Sequence, residues 1–248
     1  MFMLRRLLVA LCVAPFALAL AACSSDSEDA APAKHDAIAP IAAPAGKNWV
    51  DMAAETPEGG FRIGNPNAPI KLVEYASHTC PHCAEFSVTG AAPLDAYVGK
   101  GTVSYEIRNL VRDPIDLTVA MLARCGPPEA FHPLADQWWA NFNEVMQRVQ
   151  SAGPALQAAS QQPPAVRFQA MAQAGGMLDF FAARGISKDQ AMSCLADTAK
   201  AQAIADRSQK DAEDLHIPGT PAFFINGKQI EGTSWEALEP QLQAAGAR

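Results

Sequence analysis

Positive charge is scarce in this chain: 19 lysines and arginines face 26 aspartates and glutamates, a net charge of −7 over 248 residues. Nucleic-acid binding needs a basic face to neutralise phosphates, so that class of partner is excluded. Polypeptide and small-molecule substrates remain open. Internal repeats are absent as well, and after the first two dozen residues no long apolar run follows, which excludes a second leader-like segment in the sequence as read.

The single long apolar run, Leu7 to Ala22, follows Arg5-Arg6 and is broken only by Pro15. It is too short to span a bilayer comfortably and reads as an export signal, residues 1–22. Its end, Leu20-Ala21-Ala22-Cys23, resembles the bacterial lipobox. That resemblance implies cleavage before Cys23 and lipidation of its thiol, and by the sorting rule of that class Ser24 points to the outer membrane. The plainer alternative is an ordinary signal peptide cut near Ala19 or Ala22. Residues 23–47 are Ala, Pro, Ser and Asp with almost no large apolar side chain, so they are expected to be a flexible tether spanning roughly 25–30 Å. His35 falls in this stretch and carries no expected role.

Of six cysteines, Cys12 leaves with the leader and Cys23 takes the lipid, so Cys80, Cys83, Cys125 and Cys194 remain. Four thiols in an exported chain allow three pairings. The two-residue gap favours Cys80 with Cys83, and Cys125 then falls to Cys194 as a structural disulfide; the alternative is two buried free thiols.

Folding signals begin at Trp49 and define a domain over residues 48–248. One edge strand is expected between Trp49 and Ile63, then a loop at Asn65-Pro66-Asn67-Ala68-Pro69 and a strand from Ile70 to Tyr75. His78-Thr79-Cys80-Pro81-His82-Cys83 forms the turn into a helix, Ala84 to about Val98, kinked near Pro93. Thr102 to Ile107 alternates with period two and reads as a strand parallel to the first. Helical patterns fill Pro114–Cys125, Phe131–Val149, Val166–Arg184 and Ser187–Leu215, with Gln150–Pro164 reading as a loop. Ala222–Ile225 and Lys228–Glu231 flank Asn226-Gly227, a strong hairpin signal, and a helix from Trp235 to about Ala245 closes the chain. His132, Trp138 and Trp139 are expected in the core, His216 at a helix end, and Pro218 in an ordinary loop.

The order β-α-β, helical block, β-β-α makes an α/β chain. With Cys80-Pro81-His82-Cys83, Glu74 and Gly219-Thr220-Pro221, it resembles the thioredoxin fold carrying an inserted helical subdomain at about residues 114–215, as in the bacterial DsbA-type disulfide oxidoreductases. The residues themselves point to exchange chemistry. Cys80 stands at the helix start, where unpaired N–H groups and the dipole favour a thiolate, and as the more exposed thiol it is the expected nucleophile. Cys83, one turn deeper, is the resolving thiol. Pro81 stiffens the turn where its missing N–H costs little, and His82 is expected to lend a hydrogen bond or positive charge. Glu74 shares a strand face with Ile70 and Leu72, where a carboxylate is expensive without a partner. The resemblance implies that it relays protons to the buried thiol; the plainer reading pairs it with Lys71 or Arg108. The resemblance also implies a cis Thr220–Pro221 bond facing the dithiol, a backbone edge for extended substrates, and contact between the Thr220 hydroxyl and the Cys80 sulfur.

The expected function is a periplasmic, lipid-anchored, monomeric thiol oxidase that passes the Cys80–Cys83 disulfide to exported proteins through a mixed disulfide at Cys80. It would need no cofactor, and by resemblance a membrane quinone-linked oxidase would reoxidise it. The Pro-His dipeptide between the cysteines, shared with the resembling oxidant, favours donation over an isomerase or reductase role. A copper- or zinc-binding lipoprotein using His78, Cys80, His82 and Cys83 is the reading from another class. It has one ligand knuckle where structural zinc sites use two, so no metal is expected.

Overall fold

A computed structural model describes residues 36–248; the export signal, Cys12, Cys23 and His35 lie outside the described residues. A short 3-10 turn, Trp49–Asp51, precedes β1 (Ala53–Glu55), β2 (Phe61–Gly64) and β3 (Ile70–Ala76), and α1 (Pro81–Gly99) leads to β4 (Val103–Asn109). Eight helices follow: α2 (Pro114–Ala123), α3 (Pro128–Ala140), α4 (Phe142–Ser151), α5 (Gly153–Ser160), α6 (Pro164–Ala174), α7 (Met177–Ala182), α8 (Lys188–Leu195) and α9 (Thr198–Asp214). β5 (Ala222–Ile225), β6 (Lys228–Gln229) and α10 (Trp235–Ala244) complete the domain. This is the expected β-α-β, helical block, β-β-α order.

The sheet runs β1-β2-β4-β3-β5-β6, with β3 and β4 parallel and every other pair antiparallel. β3 is central because it is apolar enough to be covered on both sides: Ile70 and Leu72 are buried on one face and Tyr75 on the other. Its C-terminal end delivers the chain into the turn before α1. Pro81 occupies the first turn of α1, where a missing N–H is harmless, and the helix runs through Pro93 to Gly99. It thus starts three residues before the expected Ala84.

Several local expectations are corrected by tertiary contacts. The single edge strand between Trp49 and Ile63 is two strands paired with each other. Gln150–Pro164 is not a loop: it completes α4 and forms α5, whose Leu156 and Ala159, three residues apart, face the core. The pattern over Phe131–Val149 is broken at Asn141, outside helical geometry with φ −104 and ψ 18. The Val166–Arg184 pattern breaks where Gly176 takes the left-handed conformation, φ +71. The Ser187–Leu215 pattern restarts at Asp197, whose carboxylate caps α9 by accepting from the Lys200 N–H. His216 follows α9 with φ +52. The tether expected to stay loose through Lys47 is instead held from Ile38 onward. The Ile38 N–H donates to the Gly246 carbonyl, the Ile41 N–H to Lys100, and the Trp49 indole to the Ile41 carbonyl at 2.7 Å. Ile38 and Ile41 gave too few apolar residues to register as a folded segment in the sequence.

Cys125, just after α2, is bonded to Cys194 in α8, with Cα atoms 5.9 Å apart across a separation of 69 residues. Removing it with the double substitution Cys125→Ala, Cys194→Ala is expected to cost about 4 kcal/mol by chain entropy. Urea unfolding should show the loss as a lower midpoint; an unchanged midpoint would mean the unfolded chain gains nothing from the cut crosslink.

Candidate active site

The turn between β3 and α1 is clamped by the helical block. The Trp138 indole N–H donates to the His78 carbonyl at 2.8 Å and that of Trp139 to the Ser77 carbonyl at 3.1 Å. The buried Asp116 carboxylate accepts the His78 N–H at 2.8 Å, and Asp113 accepts the Thr79 hydroxyl at 2.7 Å. His78 is itself buried, stacked on Trp139 with its Nδ1 3.4 Å from Asp116. The two tryptophans are core residues, as expected, and they also hold the turn in place. Their adjacency in sequence carried no sign of that second role, because the acceptors lie about 60 residues away.

Cys80 is the N-cap of α1 and Cys83 lies in its first turn; both are present as thiols. Cys80 is only 2% exposed and Cys83 is fully buried, so the expected difference in exposure is slight. The difference in acidity is large. The Cys80 thiol is pulled down to about 5, first by the Cys83 thiol donating to it and also by the N–H groups of Cys83 and His82, with burial opposing. The Cys83 thiol is pushed well up by burial, and then by its hydrogen bond to Cys80 and the charge of Glu74. The pair is polarised: one sulfur holds charge, the other holds a proton.

His82 contributes differently from expectation. Its imidazole is exposed and meets Glu85 at 3.4 Å, so what it gives to Cys80 is its backbone N–H. The helix geometry points position 82 outward, which the motif alone did not show.

Glu74 is 1% exposed on the face shared with Ile70 and Leu72, as expected. Its partner is neither Lys71 nor Arg108. The Tyr105 hydroxyl of β4 donates to Glu74 Oε2, while Oε1 has no hydrogen bond among the described residues. Arg108 instead binds Glu106 at 2.7 Å and the Tyr75 hydroxyl at 3.2 Å. Burial pushes the Glu74 carboxyl up to about 8, with the hydrogen bond from Tyr105 opposing and the charges of Asp136 and Cys80 adding. Sequence reasoning missed Tyr105 and Asp136. The alternation of β4 put Tyr105 on a buried face, but only the parallel register with β3 brings it to Glu74.

The Thr220–Pro221 bond is cis, and the loop holding it closes over the dithiol. Cys80 Sγ lies 3.1 Å from the Thr220 carbonyl, so the hydrogen bond formed by the thiol runs to the backbone, while the Thr220 hydroxyl is buried and unpartnered. Beside this loop a cleft of about 510 Å³ runs between Gly219–Pro221 and Gln229–Gly232. Together these residues present a low-pKa sulfur, a protonated sulfur one turn away, a buried acid near both and a backbone edge. That set can exchange thiols for disulfides. Among the described residues no cluster of three or more His, Cys, Asp or Glu side chains is arranged to hold a metal ion. His78 and His82 point to different surroundings.

Residues 56–244 match the model of a family described as thioredoxin. A solved structure described as protein-disulfide isomerase from Novosphingobium aromaticivorans is 34% identical, with a TM-score of 0.70, covering 75% of this chain and 96% of that one. Alpha-DsbA1 of Wolbachia pipientis shares the fold, with a TM-score of 0.59 at 20% identity over 75% of this chain and 89% of that chain. A Rickettsia bellii protein provisionally named protein-disulfide oxidoreductase is 24% identical over 196 residues, 76% of this chain and 65% of that protein. A similarly named Rickettsia prowazekii protein is 29% identical over 192 residues, 74% of this chain and 60% of that protein. The chain therefore spans 60–65% of the length of these curated relatives.

Proposed function

Because the chain belongs to the thioredoxin family, among its DsbA-like members, we propose that it is a protein thiol-disulfide oxidoreductase that donates the Cys80–Cys83 disulfide. A substrate thiolate attacks Cys80 Sγ, the Cys80–Cys83 bond breaks, and Cys83 leaves with the electron pair and takes a proton from Glu74. A second substrate thiolate then attacks the mixed disulfide, and Cys80 leaves as thiolate. The substrate loses two electrons and two protons; one proton ends on Cys83 and the other in solvent. Thr220 and Pro221 hold the substrate backbone, Pro81 fixes the turn, and the N–H of His82 supports the leaving sulfur.

The observation that carries the direction is the acidity of Cys80. A thiolate stable down to pH near 5 stabilises the reduced protein and makes the disulfide the better oxidant. The substrates in this reading are exported proteins with free cysteines. The site of action is the periplasm, with Cys23 lipidated in the outer membrane, the protein acting as a monomer, and a membrane oxidase restoring the disulfide.

Equilibration with a glutathione series tests the direction. A potential between about −180 and −120 mV is expected; one near −270 mV, in the range of dedicated reductants, would sink the donor role. The isomerase reading has support from the description of the Novosphingobium structure. Refolding of a scrambled multi-disulfide substrate separates the two: a donor accelerates oxidation of the reduced substrate far more than rearrangement of the scrambled one.

A further inference from the structure

Glu74 is enclosed, yet a carboxyl that exchanges a proton with Cys83 at each turnover needs a route to water. The groups around it are few. Cys80 and Cys83 come from α1, Tyr105 from β4, and His132 and Asp136 from α3, while β5 sets the uncharged Phe223 opposite. Ile70 and Leu72 seal its own strand face.

Tyr105 leads outward. Its hydroxyl donates to Glu74, and the same residue lines a cavity of about 300 Å³ that also holds Asp95, Glu129, His132 and Asp136. Asp95 and Glu129 are exposed, so the cavity reaches the surface. Asp136 is the inner carboxylate: it accepts from the Ser87 hydroxyl at 2.8 Å, and its charge acts on both Glu74 and Tyr105. His132 offers no charge to this cavity at neutral pH. It lies edge-on to Tyr105 with Nε2 2.8 Å from the Phe61 carbonyl, and burial pushes its imidazole down to about 4.

We propose that Tyr105, with Asp136 and the acidic cavity they line, is the proton route between Glu74 and solvent. Resting on the exchange reading above, this assigns Tyr105 and Asp136 as positioning residues for proton transfer. The Tyr105 hydroxyl passes its own proton on as it accepts the next, so it never ionises outright.

The step to observe is closure of a mixed disulfide between Cys80 and a small aromatic thiol. Cys83 gives its proton to Glu74, its sulfur bonds to Cys80 Sγ, and the aromatic thiol leaves as thiolate with the electron pair. Tyr105→Phe is expected to slow closure by about tenfold and Asp136→Asn by about threefold, with Cys80 alkylation by iodoacetamide unchanged. Added imidazole or formate, which carry protons into an open cavity, should restore most of the rate, and Tyr105→Phe should add nothing to a Glu74→Gln background. Closure at the wild-type rate in both variants, or slowing that small acids do not rescue, would overturn the route. If the wild-type protein fails to oxidise protein thiols, the exchange reading falls, while closure on the small thiol still reports on the route.

Discussion

Cys80→Ser is expected to abolish disulfide exchange, lowering the rate by at least about a thousandfold, whereas Cys83→Ser should turn the protein into a trap. The asymmetry follows from the two sulfurs. Cys80, the more acidic sulfur, is the good leaving group and nucleophile, while Cys83 holds its proton. Without Cys83, the Cys80 thiolate attacks a disulfide of an oxidised substrate, one substrate sulfur leaves as thiolate, and the mixed disulfide, lacking its intramolecular attacker, should accumulate as a covalent adduct on a non-reducing gel. Without Cys80, Cys83 is too buried and too weakly acidic to form one. Equal adduct yields from the two variants would mean that Cys83 is the entry point, and the assignment of roles would be reversed.

Glu74→Gln is expected to stabilise the disulfide form of the protein, by several kcal/mol at pH 8 and above and by almost nothing below pH 4.5. With both thiols free the folded-state pKa is raised from the ordinary 4.5 to about 8, mainly by burial, and the disulfide form keeps that burial without the Cys80 charge. Between those values the unfolded chain releases the proton while the folded protein keeps it, so rising pH favours unfolding of the native protein. Glutamine fills the same space, can accept from Tyr105 and has nothing to ionise. Denaturant unfolding of both oxidised proteins from pH 4 to 9 measures the gap, with Cys80 and Cys83 unable to titrate in either. A gap that does not widen with pH would mean that Glu74 reaches water or a cation. A buried acid that costs this much without a counter-charge fits the proton exchange with Cys83 proposed above.

Much of this molecule was legible without coordinates, for a local reason. An apolar run after the Asn65–Pro69 loop marks Ile70–Tyr75, period-two alternation marks the β4 strand, Asn226-Gly227 marks the hairpin, and cysteine spacing leaves Cys125 with Cys194. These signals lie within a few residues of each other or follow from counting. Failures of the local reading have physical causes too. Gln150–Pro164 looked like a loop because it is rich in alanine, glutamine and proline, yet Leu156 and Ala159 reach the core once α4 and α6 flank them. Helix breaks at Asn141, Gly176 and Asp197 are set by how each segment turns back onto the block, a demand that periodicity does not encode.

The sequence by itself determined which atoms can do the chemistry: two thiols one helical turn apart, an acid late in a strand, and a threonine-proline pair before a hairpin. Tertiary structure alone decided what surrounds them beyond the motif itself, because those contacts span 30 or more residues. The Thr220 carbonyl meets Cys80 across 140 residues, Trp138 holds the turn across 60, and Tyr105 reaches Glu74 across 31. A motif can name a nucleophile and supply its nearest donors, Cys83 and the N–H groups of the helix start, but its burial and the raised acid beside it come only from the fold.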